Sequence, residues 1–223
     1  MDNPQPTSPR VLFSFPDYFP DEAIAIMVAD FDLPEEMVGV KKRENHVYAA
    51  MEWTIPTVVS VYLGKVLVDA LMKEWAKEYS PKIVAGVKAL ALRCKEMAVH
   101  RLTSTGSENK LSKNYHHSAA YSLVVELKGG QRVKMLFDEG LTPAQWEEAI
   151  DGMLATVATN YTTYPEDALT TSLIAQATHP ASILYVAYNR EREGWELHNG
   201  ETMMALQRGQ APPAADAPSG PAQ

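Results

Sequence analysis

Asp30 and Asp32 form the first arrangement in the chain whose residue types could do chemistry. In an extended strand an Asp-x-Asp pair places both carboxylates on one face, where they can hold a divalent cation. No glycine-rich phosphate loop precedes this pair and Pro34 follows it closely, so a solvated acidic turn is the simpler reading. The surrounding run Asp17, Asp21, Glu22, Asp30, Asp32, Glu35 and Glu36 contains no basic residue. Such a run either solvates an exposed face or meets the basic flank of a helix, in this chain or a neighbouring one.

His116 and His117 sit side by side in a polar stretch, and His46, His100, His179 and His198 are dispersed. Adjacent side chains point apart in extended chain, so the pair does not by itself make a zinc site. Serines, histidines and acids are all present, yet no Gly-x-Ser-x-Gly elbow or cysteine–histidine signature brings them together. The chain therefore reads as non-enzymatic, with no metal and no cofactor. Lys82, Lys88, Arg93 and Lys95, followed by Lys110, Lys113 and Tyr115, offer a different chemistry. Together they form a candidate basic and aromatic patch for a nucleotide or short oligonucleotide, set against the plainer reading of a solvated helix and loop.

The whole-chain balance limits these options. The 223 residues carry a formal charge of −8, which argues against a general nucleic-acid binder because phosphate contact needs a basic surface. A hydrophobic fraction of 46% is ample for one core. Cys94 is the only cysteine, which excludes an internal disulfide and fits a reducing compartment. The opening MDNPQPTSPR has no apolar core of signal-peptide type, so a cytoplasmic location is expected. No run of roughly 20 apolar residues is present, and Lys65 and Asp69 interrupt the best candidate, Ile55 to Met72.

The elements that must position these groups follow from periodicity. A strand is expected at Val11 to Phe15, and a strand or short helix at Ile24 to Ala29. The apolar stretch from Thr54 to Glu78 reads as one long helix, with Thr54 as N-cap and Pro56 in its first turn. Lys65, Asp69 and Lys73 then form a charged stripe at i,i+4 spacing, which would face solvent, a neighbouring subunit or a pore. Val59, Tyr62, Leu63 and Val66 would face the core or lipid.

A second helix is expected from Ser80-Pro81 to about Leu102, with Ile83, Val87, Leu90, Cys94 and Met97 as its core stripe. Ala119 to Lys128 and Arg132 to Phe137 read as a hairpin turned at Gly129-Gly130. Thr142-Pro143-Ala144-Gln145 has the form of a capping box and opens a helix through Tyr161. Pro165 to Ala177 follows as a short helix, and Ser182 to Tyr188 and Trp195 to His198 as paired strands. The expected fold is a single α+β domain over residues 1–208, an antiparallel sheet built from hairpins with helices on one face. The Pro/Ala-rich tail, 209–223, is expected to be disordered.

Several of these segments also resemble a known group. Trp53-x-x-Pro56-Thr57, Lys65, Lys73-Glu74, the lysine-rich second helix, Val133 to Phe137 and Ile183 to Asn189 resemble small bacterial proteins similar to the channel-like effectors of anti-phage defence of the Hailong type. The resemblance covers residues 50–200 and rests on structural rather than catalytic motifs. It implies a homo-oligomer, an inner-membrane target on activation, and a nucleotide or DNA-oligomer regulator. The expected function is thus a self-associating defence effector whose long helix becomes membrane-active. The alternative is a soluble cytoplasmic protein-interaction module with that helix buried in its core.

Overall fold

The computed structural model describes residues 11–43, 57–71, 76–97, 117–175, 183–189 and 194–198. Seven strands form one sheet: β1 (Val11–Pro16), β2 (Val38–Arg43), β3 (Val59–Leu63), β4 (His117–Glu126), β5 (Arg132–Asp138), β6 (Ile183–Asn189) and β7 (Gly194–His198). Their order is β2-β1-β3-β4-β5-β6-β7. The helices are α1 (Asp21–Ala29), α2 (Lys65–Leu71), α3 (Ala76–Lys95), α4 (Pro143–Thr163) and α5 (Ala168–Ala175).

The fold is α+β as expected, but the sheet is mixed. β1 and β2, β3 and β4, and β5 and β6 pair in parallel, while β1–β3, β4–β5 and β6–β7 are antiparallel. The reason is that helices separate the members of each parallel pair, and a helical crossover returns the chain in its original direction. Ile24 to Ala29 belongs to α1, and β2 is a strand that sequence periodicity did not indicate.

The largest correction concerns the long helix. Val59–Leu63 is a strand hydrogen-bonded between β1 and β4, and helix begins only at Lys65. Val-Ser-Val-Tyr-Leu alternates buried and half-buried positions with period two, and its β-branched residues suit a pleated surface. A short apolar run of this kind fits either element by hydrophobicity alone. Val59 and Leu63 are core residues, Val66 is exposed, and Tyr62 points to the opposite face of the sheet. Thr54, the expected cap, and Lys73, the end of the expected stripe, lie outside the described residues.

One face of the sheet carries the core. Phe13, Val61, Leu123, Met135 and Val186 join Leu67, Leu90, Ile150 and Met153 from the helices in one buried cluster. Trp146 anchors it: the indole is fully buried, lies 4.8 Å from the Phe137 ring, and donates to the Asp138 carbonyl at 2.9 Å. Removing such a side chain costs about 3 to 5 kcal/mol. Gly86 lets α3 lie directly on Phe31, because a Cβ there would stand 2.8 Å from the Phe31 Cα.

The local signals in the second half hold. The β4–β5 hairpin turns at Gly130 with φ +87°, and Thr142 and Gln145 make the reciprocal capping box of α4. Asp167 caps α5 by accepting the Thr170 N–H at 2.8 Å. The second helix starts at Ala76, four residues before Ser80, and carries Pro81 within it. The tail 209–223 lies outside the described residues.

Candidate functional site

The second face of the sheet is built from the alternate residues of the same strands. Register places Leu12, Ser14, Lys41, Ser60, Tyr62, Ser122, Val124, Glu126, Arg132 and Lys134 on it. Towards β4–β6 this face is closed, with Ser122, Lys134, Leu136 and Tyr185 all buried. Towards β2 and β3 it opens into a cavity of about 780 Å³. That volume lies within the range of small-molecule sites, roughly 300 to 1,000 Å³.

The cavity has an aliphatic floor and polar walls. Leu12, Leu67, Val124 and Ile183 supply the floor, and Val40 and Val66 stand on its lining at 47% and 45% exposure. Tyr62 donates its hydroxyl hydrogen to Glu126 Oε2, and the same oxygen accepts the Lys65 backbone N–H at 3.2 Å. The Arg132 guanidinium lies 5.9 Å from the centroid of the Tyr62 ring. Burial first, and the Glu126 carboxylate second, push the Tyr62 phenol up to about 12. Tyr62 is therefore a neutral donor at physiological pH. Ser60 is held by the Ser122 hydroxyl at 3.1 Å, which in turn meets Thr57 at 2.6 Å.

Beside the cavity, Lys134 is buried opposite Val124. Burial, reinforced by the Arg43 charge, pulls its ammonium down from 10.5 to about 7. Arg43 itself reaches across to the Thr57 and Val58 carbonyls at 2.7 and 2.9 Å, tying the end of β2 to the entry of β3.

The basic residues singled out from sequence are placed elsewhere. Lys82 pairs with Asp32 at 2.7 Å, Arg93 with Asp30 at 2.9 Å, and Lys88 with Asp151 at 2.7 Å. Lys95 donates to the Glu139 carbonyl at 3.2 Å and lies 5.2 Å from the centre of the Trp146 ring. Asp30 and Asp32 of the acidic run thus meet two cations of α3 within this chain, while Asp21 pairs with Lys42 of β2. Lys110 and Lys113 lie outside the described residues. Asp30 and Asp32 are not on one face of a strand: Asp30 ends α1 and Asp32 turns back with φ +44°. Among the described residues no group of three or more His, Cys, Asp or Glu side chains could hold a metal ion.

The expected stripe is also divided. Asp69 pairs with Lys128 of the β4–β5 turn at 2.8 Å. Lys65 lines the cavity. Sequence reading missed Lys41, Glu126 and Arg132, although a signal was present. Tyr62 falls two residues after Ser60 and Glu126 two after Val124, the strand period that sets residues on one face.

Lys41, Lys65 and Arg132 line the cavity, and none of the three is in an ion pair among the described residues; Lys95, on the Glu139 carbonyl and the Trp146 ring, shares that property away from the cavity. No protein-family model, curated protein or solved structure matches the chain.

Proposed function

We propose that the protein is a non-enzymatic binding module whose ligand sits in the cavity on the second face of the sheet. One observation carries this reading: in a chain of net charge −8, three described cations that make no ion pair among the described residues, Lys41, Lys65 and Arg132, line one cavity. Unpaired charge collected at a concave apolar surface raises the local concentration of oppositely charged ligands. Glu126, the carboxylate of the lining, is held by the neutral Tyr62 hydroxyl and Lys65 backbone N–H and faces three cations, so the lining is net positive and favours anions. The polar groups hold and orient; Tyr62 stays protonated and keeps Glu126 in place rather than acting as a nucleophile.

The membrane-active effector reading depended on Trp53 to Glu78 forming one helix. The Val59–Leu63 portion is sheet, and among the described residues no helix is long and apolar enough to cross a membrane. The interaction-module reading placed the same helix in the core; with Val59–Leu63 as a core strand instead, that reading accommodates the cavity. Self-association and a role in defence, implied by the resemblance, stand as proposals about what binding would control. The nucleotide regulator that the resemblance implies would belong at Lys41, Lys65 and Arg132 rather than on α3, where Lys82, Lys88 and Arg93 are in ion pairs.

The test is a thermal-shift screen of the full chain against small anions, nucleotides, amphiphiles and peptides, run beside Val66→Trp, which fills the cavity from an exposed position. A ligand that raises the melting temperature of the wild type and not of the variant supports the reading. Ligands that act equally on both, or the absence of any ligand together with dye release from liposomes, return the membrane-active effector.

A further inference from the structure

We infer that the ligand is a single-chain amphiphile with an anionic head, an inference that rests on the cavity being the binding site. The apolar part of the lining is mainly aliphatic, Leu12, Val40, Val66, Leu67, Val124 and Ile183, and its one phenylalanine, Phe13, is fully buried with its ring packed on Phe15 and Phe31. Such a surface excludes water from an alkyl chain without asking for directional contacts. The cationic part is Lys41, Lys65 and Arg132, on β2, at the start of α2 and on β5, so positive charge reaches the cavity from separate elements. Val40 and Lys41 are consecutive on the edge strand, and Lys65 and Val66 are consecutive at the start of α2. On β2 the two side chains leave opposite faces of the strand, so it is at the start of α2 that a cation and an exposed aliphatic residue, Lys65 and Val66, both line the cavity, which matches a ligand whose charge and alkyl chain are joined end to end.

A nucleotide fits this lining less well. Base recognition draws on aromatic stacking or on free donors and acceptors. Tyr62 has its hydroxyl committed to Glu126 and Arg132 against its ring. The serine hydroxyls at Ser60 and Ser122 are bonded to each other. What the lining offers beyond these contacts is positive charge and aliphatic surface, and these recognise a carboxylate or phosphate carrying an alkyl chain. A free fatty acid and a phosphate-headed single-chain lipid share that chemistry.

Calorimetry on the full chain, below micelle concentrations, separates the possibilities. The titrants are decanoate, decyl phosphate, decanol, acetate and dodecanoate. The inference expects one site per chain, with decanoate or decyl phosphate bound at least tenfold more tightly than decanol or acetate. Dodecanoate should exceed decanoate by about an order of magnitude, since each of its two additional buried methylenes multiplies affinity by about four. Lys41→Glu/Lys65→Glu, folded by circular dichroism, should weaken the anionic titrants tenfold or more and leave decanol unchanged. Preference for decyl phosphate assigns the phosphate-headed source, and preference for decanoate the fatty acid. Equal binding of decanol, no effect of charge reversal, or no heat with either anion overturns the inference. If any of these occurs while another ligand is lost in Val66→Trp, the cavity reading stands and the ligand class alone falls; if no ligand depends on the cavity, both fall.

Discussion

Tyr62 on β3 and Glu126 on β4 are joined by a hydroxyl–carboxylate hydrogen bond across the parallel pair, and the oxygen that Tyr62 reaches also accepts the first N–H of α2 from Lys65. This contact fixes the corner where β3 passes through Gly64 into α2. It also sets the wall of the cavity on which Lys65 and Val66 stand. Geometry for binding and stability of the corner therefore share one carboxylate.

Tyr62→Phe should destabilise the fold by about 1.5 to 3 kcal/mol, the range for a hydrogen bond to a charged group. Glu126 keeps the Lys65 N–H, so the corner should loosen rather than unfold. Urea denaturation checks the magnitude, and a variant as stable as the wild type contradicts the role given to this pair.

Lys134 carries a pH dependence whose sign is fixed by its depressed value, about 7 against 10.5. Below pH 7 the folded and unfolded chains both hold the proton, and the fold bears the full cost of a buried charge. Between pH 7 and 10.5 the unfolded chain still holds it and the folded chain does not, so this group adds stability as pH rises, by up to about 1.4 kcal/mol per unit. Lys134→Met should be more stable than wild type at pH 6 to 7 and should lose that slope. Denaturation curves from pH 6 to 9 report the difference, and parallel profiles for the two proteins refute it.

Gly86→Ala should cost about 1 to 3 kcal/mol despite the better helix propensity of alanine, because the new methyl would meet both the fully buried Phe31 ring, at 2.5 Å, and the Phe31 Cα, at 2.8 Å. A melting temperature equal to or above that of the wild type would show that α3 can shift away from α1.

Asn160 joins three elements: its Oδ1 accepts the Lys128 N–H at 2.9 Å, and its Nδ2 donates to Asp167 at 3.0 Å and Thr170 at 2.9 Å. Burial raises the Asp167 carboxyl, but hydrogen bonds from Thr170 and Asn160 outweigh it and hold the group below 3.8. A depressed carboxyl stabilises the fold above its unfolded value, and that contribution disappears as pH falls through the folded value. Asn160→Ala should lose roughly 2 to 3 kcal/mol at neutral pH, with a smaller deficit in acid. A deficit that stays constant from pH 7 to 2.5 would count against this linkage.

Local chemistry was the legible part of the fold. Thr142 and Gln145, the Gly129-Gly130 turn and the Trp146 to Tyr161 stripe each state their structure within a few residues, because caps, tight turns and helical periods are short-range demands. Val59–Leu63 was not legible as a strand, since its hydrogen-bond partners at Val11–Ser14 and Tyr121–Val125 are far away in sequence and its apolar residues suit either element. The ion pairs follow the same logic. Asp30 and Arg93 are 63 residues apart, so nothing local marked Arg93 as spent or Lys41 as available. The site became visible only when the sheet order brought β2, β3, β4 and β5 to one surface.

The most direct measurement is a map of backbone amide shifts in the full chain, titrated with a fragment set containing anionic amphiphiles, neutral amphiphiles and nucleotides. The account predicts that the fragments that bind perturb one contiguous group, Leu12 to Ser14, Gly39 to Lys41, Ser60 to Leu67 and Val124 to Glu126, and that Val66→Trp abolishes those perturbations. Shifts gathered on the exposed surfaces of α3 and α4, or bound fragments indifferent to Val66→Trp, contradict it.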